Sequence, residues 1–380
     1  MYYFMYITRD IEQKILQTIA PNKVIVITGA RRTGKTILLS QLIKKIKEPI
    51  ILLNGEDILT HELLERRSII NFKNLMGTKK LLIIDEAQKI IDIGLKLKLM
   101  VDNIEGLKII VTGSSAFDIT NKVGEPLTGR KYSFNLFPFS ENELSQIEDD
   151  ISKRENLRER LVFGNYPELS FLSDRDKKQE YLREIVSSYL LKDILTFENL
   201  RSSSKIFDLL KLIAFQVGNE VSYNELSKQL GISKTTVERY LDLLTKVFIL
   251  HKIGGYSRNL RKEVVKSSKW YFWDNGIRNA IIANFTNLNS RDDVGKLWEN
   301  YIISERLKFQ SNKSLHSNNY FWRTYDKQEI DWIEEREGKL FAYEFKWKEL
   351  KSKAPLAWVK TYPNSDFKVI NSENFYSWIS

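Results

Sequence analysis

The stretch Lys23–Gln41, KVIVITGARRTGKTILLSQ, constrains this chain more than any other. Val24-Ile25-Val26-Ile27 is a short β-branched apolar run, the composition of a strand covered on both faces in a parallel sheet. It runs directly into Gly29-Ala30-Arg31-Arg32-Thr33-Gly34-Lys35-Thr36, after which Ile37, Leu38, Leu42, Ile43 and Ile46 recur at helical spacing. A strand, Gly-x-x-x-x-Gly-Lys-Thr and a helix together are the pattern of a phosphate-binding loop. Its glycines let main-chain amides turn inward around phosphate oxygens, and the helix N-terminus adds partial positive charge. Gly29 through Ile37 are therefore expected to line a nucleotide site, with Lys35 reaching the β/γ-phosphates and the Thr36 hydroxyl ligating Mg²⁺. Such turns also form for packing alone, but the flanking strand and helix favour phosphate.

A second apolar run, Lys80-Leu-Leu-Ile-Ile-Asp85-Glu86, ends in two acids. At the end of a strand near the phosphate loop, Asp85 can hold the Mg²⁺ hydration shell and Glu86 can polarise a water for attack on the γ-phosphate. Two acids after a strand are common by themselves. Behind a phosphate loop they predict nucleotide hydrolysis.

With 380 residues the chain is too long for one core of ordinary size, and two or three domains are expected. No apolar run approaches the length of a membrane helix. The start, MYYFMYITRD, lacks a basic region followed by an apolar stretch, so a cytoplasmic location is expected. With no cysteine, disulfides and thiolate metal sites are excluded, and His61, His251 and His316 lack metal-ligand spacing. Of the net charge of +10, most sits between Arg201 and Ser290, where 14 Lys/Arg face 7 Asp/Glu. That segment is expected to meet an anionic partner.

Ile11, Ile15, Leu16 and Ile19 mark a short leading helix. Pro49–Asn54 reads as another buried strand, Ile69–Met76 and Gly94–Ile104 as helices, and Leu107–Ser115 as a strand ending in small polar residues. Strands alternating with helices over residues 20–140 predict an α/β fold with a doubly wound parallel sheet. Ser114 or Ser115 can sense a γ-phosphate through its hydroxyl, or simply form a turn.

GARRTGKT, LLIIDEAQ, IIVTGSS, Leu127-Thr-Gly-Arg130, Leu136-Phe-Pro-Phe-Ser-Glu-Asn-Glu-Leu144 and Gly164-Asn-Tyr-Pro-Glu168 resemble the AAA+-type ATPases of archaea and bacteria. These commonly carry a C-terminal domain of unknown function. The resemblance implies ATP as the nucleotide, and it implies for Arg130 a sensor or arginine-finger role. Position alone equally allows a surface salt bridge there. A homo-oligomer is compatible with the resemblance; a protein partner is not legible, and no membrane partner is expected.

The expected organisation is an ATPase core over 1–145, a helical lid or connector over 146–204, a winged helix over 205–285 and a final α/β domain over 286–380. In the third segment, Asn224–Leu230, the turn Gly231-Ile-Ser233 and a helix with Val237, Tyr240, Leu241 and Leu244 inward form a helix-turn-helix pattern. Ser233 is its N-cap. Lys234, Thr235, Glu238 and Arg239 would face out, and a basic wing would carry Arg258, Arg261 and Lys262. DNA is the expected partner, with Lys234 and Arg239 at the groove and the wing on phosphates; packing against protein is the competing reading.

In the last segment, Glu329–Glu334 and Lys339–Trp347 flank Glu337-Gly338, a two-residue hairpin turn. A turn of that length pairs Arg336 with Lys339 and therefore Asp331 with Glu344, their β-carbons roughly 5 Å apart. Lys346 lies one step along, and Glu299 sits on a preceding helix. An acid, an E-x-K strand and a helical Glu resemble the restriction-endonuclease-like PD-(D/E)xK nucleases. The resemblance implies a metal on Asp331 and Glu344 and a nuclease site of Glu299, Asp331, Glu344 and Lys346. Alternating charge on a half-buried strand is the plainer alternative.

Overall fold

The computed structural model describes residues 6–114, 127–190, 203–257, 268–348 and 352–379. The N-terminal part comprises α1 (Glu12–Thr18), β1 (Lys23–Gly29), α2 (Lys35–Lys45), β2 (Ile50–Asn54), α3 (Ile58–Glu65), α4 (Ile69–Met76), β3 (Leu81–Asp85), α5 (Ile93–Asn103), β4 (Lys108–Ser114) and β5 (Lys131–Asn135). The five strands form one parallel sheet in the order β2-β3-β4-β1-β5. Strand alternation divides its side chains cleanly. Val24, Val26, Leu82, Ile84, Ile109 and Val111 pack on one face with residues of α4 and α5. Ile25, Ile27, Leu81, Ile83 and Ile110 pack on the other with α1 and α2. Each of these buried branched side chains contributes about 2 kcal/mol. The sheet is thus doubly wound, as expected.

One strand departs from expectation. β2 is an edge strand, and Leu52 on it is 59% exposed. An unbroken apolar run does not distinguish a central strand from an edge strand.

The chain continues through α6 (Glu141–Leu144), α7 (Asp150–Phe163), α8 (Arg175–Glu184), α9 (Ser203–Phe215), β6 (Glu220–Val221), α10 (Tyr223–Leu230), α11 (Lys234–Lys246), β7 (Leu250–Gly255), β8 (Ser268–Phe272) and α12 (Asn275–Ile281). Local caps start most of these helices: Ser140 and Glu143 form a capping box, and Asp149, Asp174, Ser222, Ser233 and Asp274 accept main-chain amides. Gly231 closes α10 in the left-handed region, φ 64°, where the helix-turn-helix pattern requires a turn.

Last come α13 (Val294–Lys313), β9 (Asn318–Arg323), β10 (Glu329–Arg336), β11 (Lys339–Phe345), α14 (Leu356–Thr361), β12 (Asp366–Ile370) and α15 (Tyr376–Ile379). The β10–β11 hairpin has the expected register, with Arg336 opposite Lys339 and Trp332 opposite Tyr343. Glu337 and Gly338 both take positive φ, 49° and 75°. Its strands do not form a separate sheet. A seven-stranded sheet runs β12-β11-β10-β9-β7-β8-β6, joined where Gly254 and Gly255 pair with Tyr320 and Phe321. The apolar core is equally continuous, from Leu157 on α7 to Ile379 on α15, and does not break near residues 204 or 285.

Candidate functional site

The phosphate loop leaves β1 at Gly29, which pairs with Ser114 at the end of β4. A Cβ on Gly29 would lie 2.1 Å from the Leu136 carbonyl oxygen, so only glycine fits against the strand leading out of β5. Gly34 takes φ 91° and begins α2. This is the open cradle of amides at a helix N-terminus that an anion requires. Lys35 is buried, its Nζ donating to the carbonyls of Gly29 (3.0 Å) and Ala30 (2.9 Å), and the Thr33 hydroxyl donates to Ala30 (2.8 Å). Arg32, with φ 63°, lies close enough to Tyr181 on α8 to bias its phenol electrostatically, together with Glu168. The loop's tip therefore faces the following segment. Ile37 is 57% exposed on the outer side of α2.

Thr36 and Asp85 come together as expected. The Thr36 hydroxyl donates to Asp85 Oδ2 at 2.8 Å. Asp85 Oδ1 accepts from the Thr112 hydroxyl, and the Glu86 amide donates to both Thr112 Oγ1 (3.0 Å) and Asp85 Oδ1 (3.2 Å). Thr112 is a participant that the sequence motifs do not single out. Its signal is a polar residue in the apolar β4, and β4 lies between β1 and β3. Glu86 follows in the left-handed region, φ 51°, its carboxylate bonded to Gln88. Gly55 is packed against the Glu86 main chain, where an added Cβ would meet the carbonyl oxygen at 2.3 Å. A hydroxyl and a carboxylate held side by side by neutral donors suit a hard divalent cation that keeps most of its waters. The residues present fit Mg²⁺ and a nucleoside phosphate.

One expected participant is placed differently. Arg130 precedes β5 at the opposite end of the sheet: its carbonyl accepts from Val24, the first paired residue there, five positions before Gly29. At strand rise that is about 16 Å from the loop. Its guanidinium pairs with Asp102 at 2.6 Å, the salt bridge that position alone allowed. A sensor role within the same site is thereby corrected. Ser114 is buried beside Gly29, whereas Ser115 lies outside the described residues.

The second constellation brings together Glu299, Asp331, Glu344 and Lys346: Asp331 feels both glutamates, and Lys346 feels all three acids. It also includes residues the sequence did not reveal. Lys269, from β8, is buried between Glu299 (3.6 Å) and Glu329. Tyr271 on the same strand donates to Glu299 Oε1 at 2.6 Å. Lys346 pairs with Glu344 at 2.6 Å, and the Phe345 amide donates to Asp331 Oδ2 at 2.8 Å. Burial pushes the carboxyl of Asp331 well above the usual range, and Glu299 and Glu344 push it the same way. Burial also raises Glu299. For Lys269 burial pulls the other way, but Glu299, Glu329 and Asp331 outweigh it and hold the ammonium above its ordinary value.

The adjacent carboxylates thus have ammonium groups of the chain itself beside them. The chain supplies its own cations, and among the described residues no group of three or more His, Asp or Glu side chains is arranged to hold a metal ion. Lys234 and Arg239 are on the outer face of α11 as expected, Lys234 3.8 Å from Glu238 and the Arg239 guanidinium 5.6 Å from the Tyr240 ring centroid. Arg258, Arg261 and Lys262 lie outside the described residues.

Residues 21–145 match the family model of an AAA domain. The N-terminal third is a P-loop ATPase fold. Residues 154–290 and 294–375 match two domains of unknown function, DUF8612 and DUF4143. An uncharacterized protein of Methanocaldococcus jannaschii is 25% identical over 346 residues, covering 86% of this chain and 74% of its own length. An uncharacterized protein of Mycobacterium tuberculosis is 24% identical over 341 residues, covering 89% and 73%. Among solved structures, the Walker-type ATPase paby2304 of Pyrococcus abyssi overlaps 73% of this chain and 96% of its own, with 17% identity and a TM-score of 0.49. Among the described residues no helix is long and apolar enough to cross a membrane.

Proposed function

We propose that this protein is an Mg²⁺-dependent ATPase that acts on DNA, and that its C-terminal acid cluster is a metal-dependent phosphodiester-cleaving site to which nucleotide state regulates access. The observation that carries the ATPase part is the 2.8 Å hydrogen bond between Thr36 and Asp85 beside the glycine cradle. Bound Mg²⁺ supplies neutralising charge at the β- and γ-phosphates. The chain's own residues do the rest. Thr36 and Asp85 hold the cation, Thr112 fixes the Asp85 carboxylate, and Lys35 exchanges its two loop carbonyls for phosphate oxygens. Glu86 orients the attacking water and takes its proton. The basic balance of residues 201–290, together with a helix–turn–helix–strand–strand order, supports a winged helix on DNA.

A second reading is a nucleotide-switched regulator that binds DNA or protein, hydrolyses ATP slowly and keeps only a degenerate nuclease fold. The buried Lys269 between Glu299 and Glu329 favours it, because an internal cation stands where catalysis would need a divalent one. The deciding measurement is the ATPase rate with and without single-stranded, duplex and branched DNA. Rapid turnover stimulated by DNA supports the first reading. Tight nucleotide retention with negligible turnover overturns it in favour of the second.

A further inference from the structure

Arg9 lies before the residues that match the AAA domain, in the segment leading to α1, and only 5% of it is exposed. Each of its three guanidinium nitrogens donates a hydrogen bond. Nη1 donates to the Thr33 carbonyl of the phosphate loop at 2.7 Å, Nη2 to the Phe137 carbonyl at 2.6 Å, and Nε to Glu143 Oε1 at 2.9 Å. The guanidinium also lies over the Phe139 ring, 4.7 Å from its centroid. We propose that Arg9 is a positioning residue for the nucleotide site, fixing the peptide that joins Thr33 to Gly34 so that its amide is presented to phosphate. The inference rests on the ATPase reading above.

The physical argument starts from the planar trans peptide, in which C=O and N–H point in opposite directions. Holding the Thr33 carbonyl down onto Arg9 turns the Gly34 N–H away from Arg9, toward the mouth of the cradle. Gly34 is the residue least able to hold an orientation by itself, since it lacks a side chain and takes φ 91°. A rigid donor beneath the loop removes that freedom before the ligand arrives, which is how preorganisation raises affinity. Only a planar fork with several donors can serve Thr33, Phe137 and Glu143 together; an ammonium is a point charge on a flexible stem.

Arg9 is itself held. Glu143 accepts from the Asp10 amide (2.8 Å) and, through its other oxygen, from the Ser140 amide (3.0 Å). The segment it grips is tied in turn to α13: Lys308 donates to the Phe139 carbonyl (3.0 Å), and the Glu141 amide donates to Glu305 (2.8 Å). The loop's floor is thus continuous with the helix that carries Glu299.

The test is Arg9→Lys, which keeps the charge for Glu143 but loses the fork. Nucleotide binding is measured by titration with ATP and ADP well below the melting temperature, and turnover by steady-state kinetics. The expected result, at a temperature where the variant is fully folded, is Kd for both nucleotides and KM for ATP raised about tenfold or more with kcat nearly unchanged, because Glu86 is untouched, alongside the lower melting temperature that lost buried hydrogen bonds bring. A purely structural role would lower the melting temperature and leave affinity alone. Should Arg9→Lys not fold, Glu143→Gln loosens Arg9 while leaving its own side chain in place, and a several-fold loss of affinity is expected there. Parent affinity in a folded Arg9→Lys, or in Glu143→Gln if that is the variant that folds, overturns the inference. A parent protein that binds no nucleotide overturns the ATPase reading, and this inference with it.

Discussion

The two acid sites treat their carboxylates in opposite ways. At the end of β3, Asp85 is oriented by neutral donors, the hydroxyls of Thr36 and Thr112 and the Glu86 amide. In the C-terminal sheet, Glu299 and Glu329 share Lys269, and Glu344 has Lys346. Neutral hydrogen bonds leave a carboxylate's charge to attract a cation, whereas a buried ammonium neutralises it. The first arrangement is poised for a metal. The second already holds two ammonium groups among its acids, so a metal there competes with a lysine.

The largest effects are expected at the first site. Lys35→Ala should abolish nucleotide binding, and Glu86→Gln should preserve binding while lowering turnover by about 10²–10⁴-fold. Titration and steady-state kinetics read both. Parent-rate hydrolysis by Glu86→Gln would show that Glu86 does not activate the water.

The second site is tested by cleavage of labelled single-stranded, duplex and branched DNA with Mn²⁺. If it is a nuclease, weak cleavage survives Lys35→Ala and is lost in Glu344→Ala, with Asp331→Ala/Glu344→Ala as the control for contaminants. Equal cleavage by parent and double variant removes the nuclease reading. Absence of cleavage by either leaves the regulator.

Lys269→Met sharpens the comparison directly. Removing one partner of a buried pair leaves uncompensated charge and costs about 3–5 kcal/mol. If the lysine stands in for a divalent cation, Mn²⁺ should restore part of the melting temperature in Lys269→Met and do much less for the parent. Equal Mn²⁺ responses would mean that the acids never form a cation site.

How legible each site was follows from how local it is. Residues 23–41 announce strand, loop and helix because each element is specified by neighbours in sequence, and Thr36 meets Asp85 because α2 starts from the loop at the end of β1 while Asp85 ends β3 of the same parallel sheet. The Glu337-Gly338 turn likewise sets the register that brings Asp331 beside Glu344. Arg9 and Lys269 carry no such signal. One reaches the loop floor from before α1, and the other enters the acid cluster only because β8 and β10 belong to one sheet, joined at a two-residue pairing between β7 and β9. Arg130 misleads for the same reason: proximity to a motif in sequence does not say at which end of a strand a residue falls.

The basic residues Arg258, Arg261 and Lys262 add a test whose effect is graded. Reversing all three to Glu should weaken duplex binding whatever the sequence. It should also flatten the salt dependence, by up to about one unit of log–log slope for each phosphate interaction removed. Unchanged affinity and slope would assign the basic segment to something other than DNA.

The smallest expected effect separates the two halves by pH. His251 on β7 is buried, stacked on Tyr271 with ring centroids 5.6 Å apart and tilted against Trp273 at 4.9 Å, and burial lowers its pKa to about 3. The folded chain therefore refuses a proton that the unfolded chain accepts near pH 6.5. The resulting stability is fully present above about pH 6.5 and is lost progressively as pH falls toward 3. At pH 5.5 the loss amounts to about 1.4 kcal/mol, one pH unit's worth of differential protonation. Tyr271 also bonds Glu299, so the loss falls on the half that contains the acid cluster and not on the N-terminal sheet. His251→Phe keeps the aromatic stack and has nothing to titrate. Denaturant melts of parent and His251→Phe at pH 7.5 and 5.5, followed by hydrogen exchange to locate the change, should show a gap that closes or reverses by about that amount in favour of the variant at the lower pH. A gap independent of pH would place the imidazole in contact with water and remove the distinction.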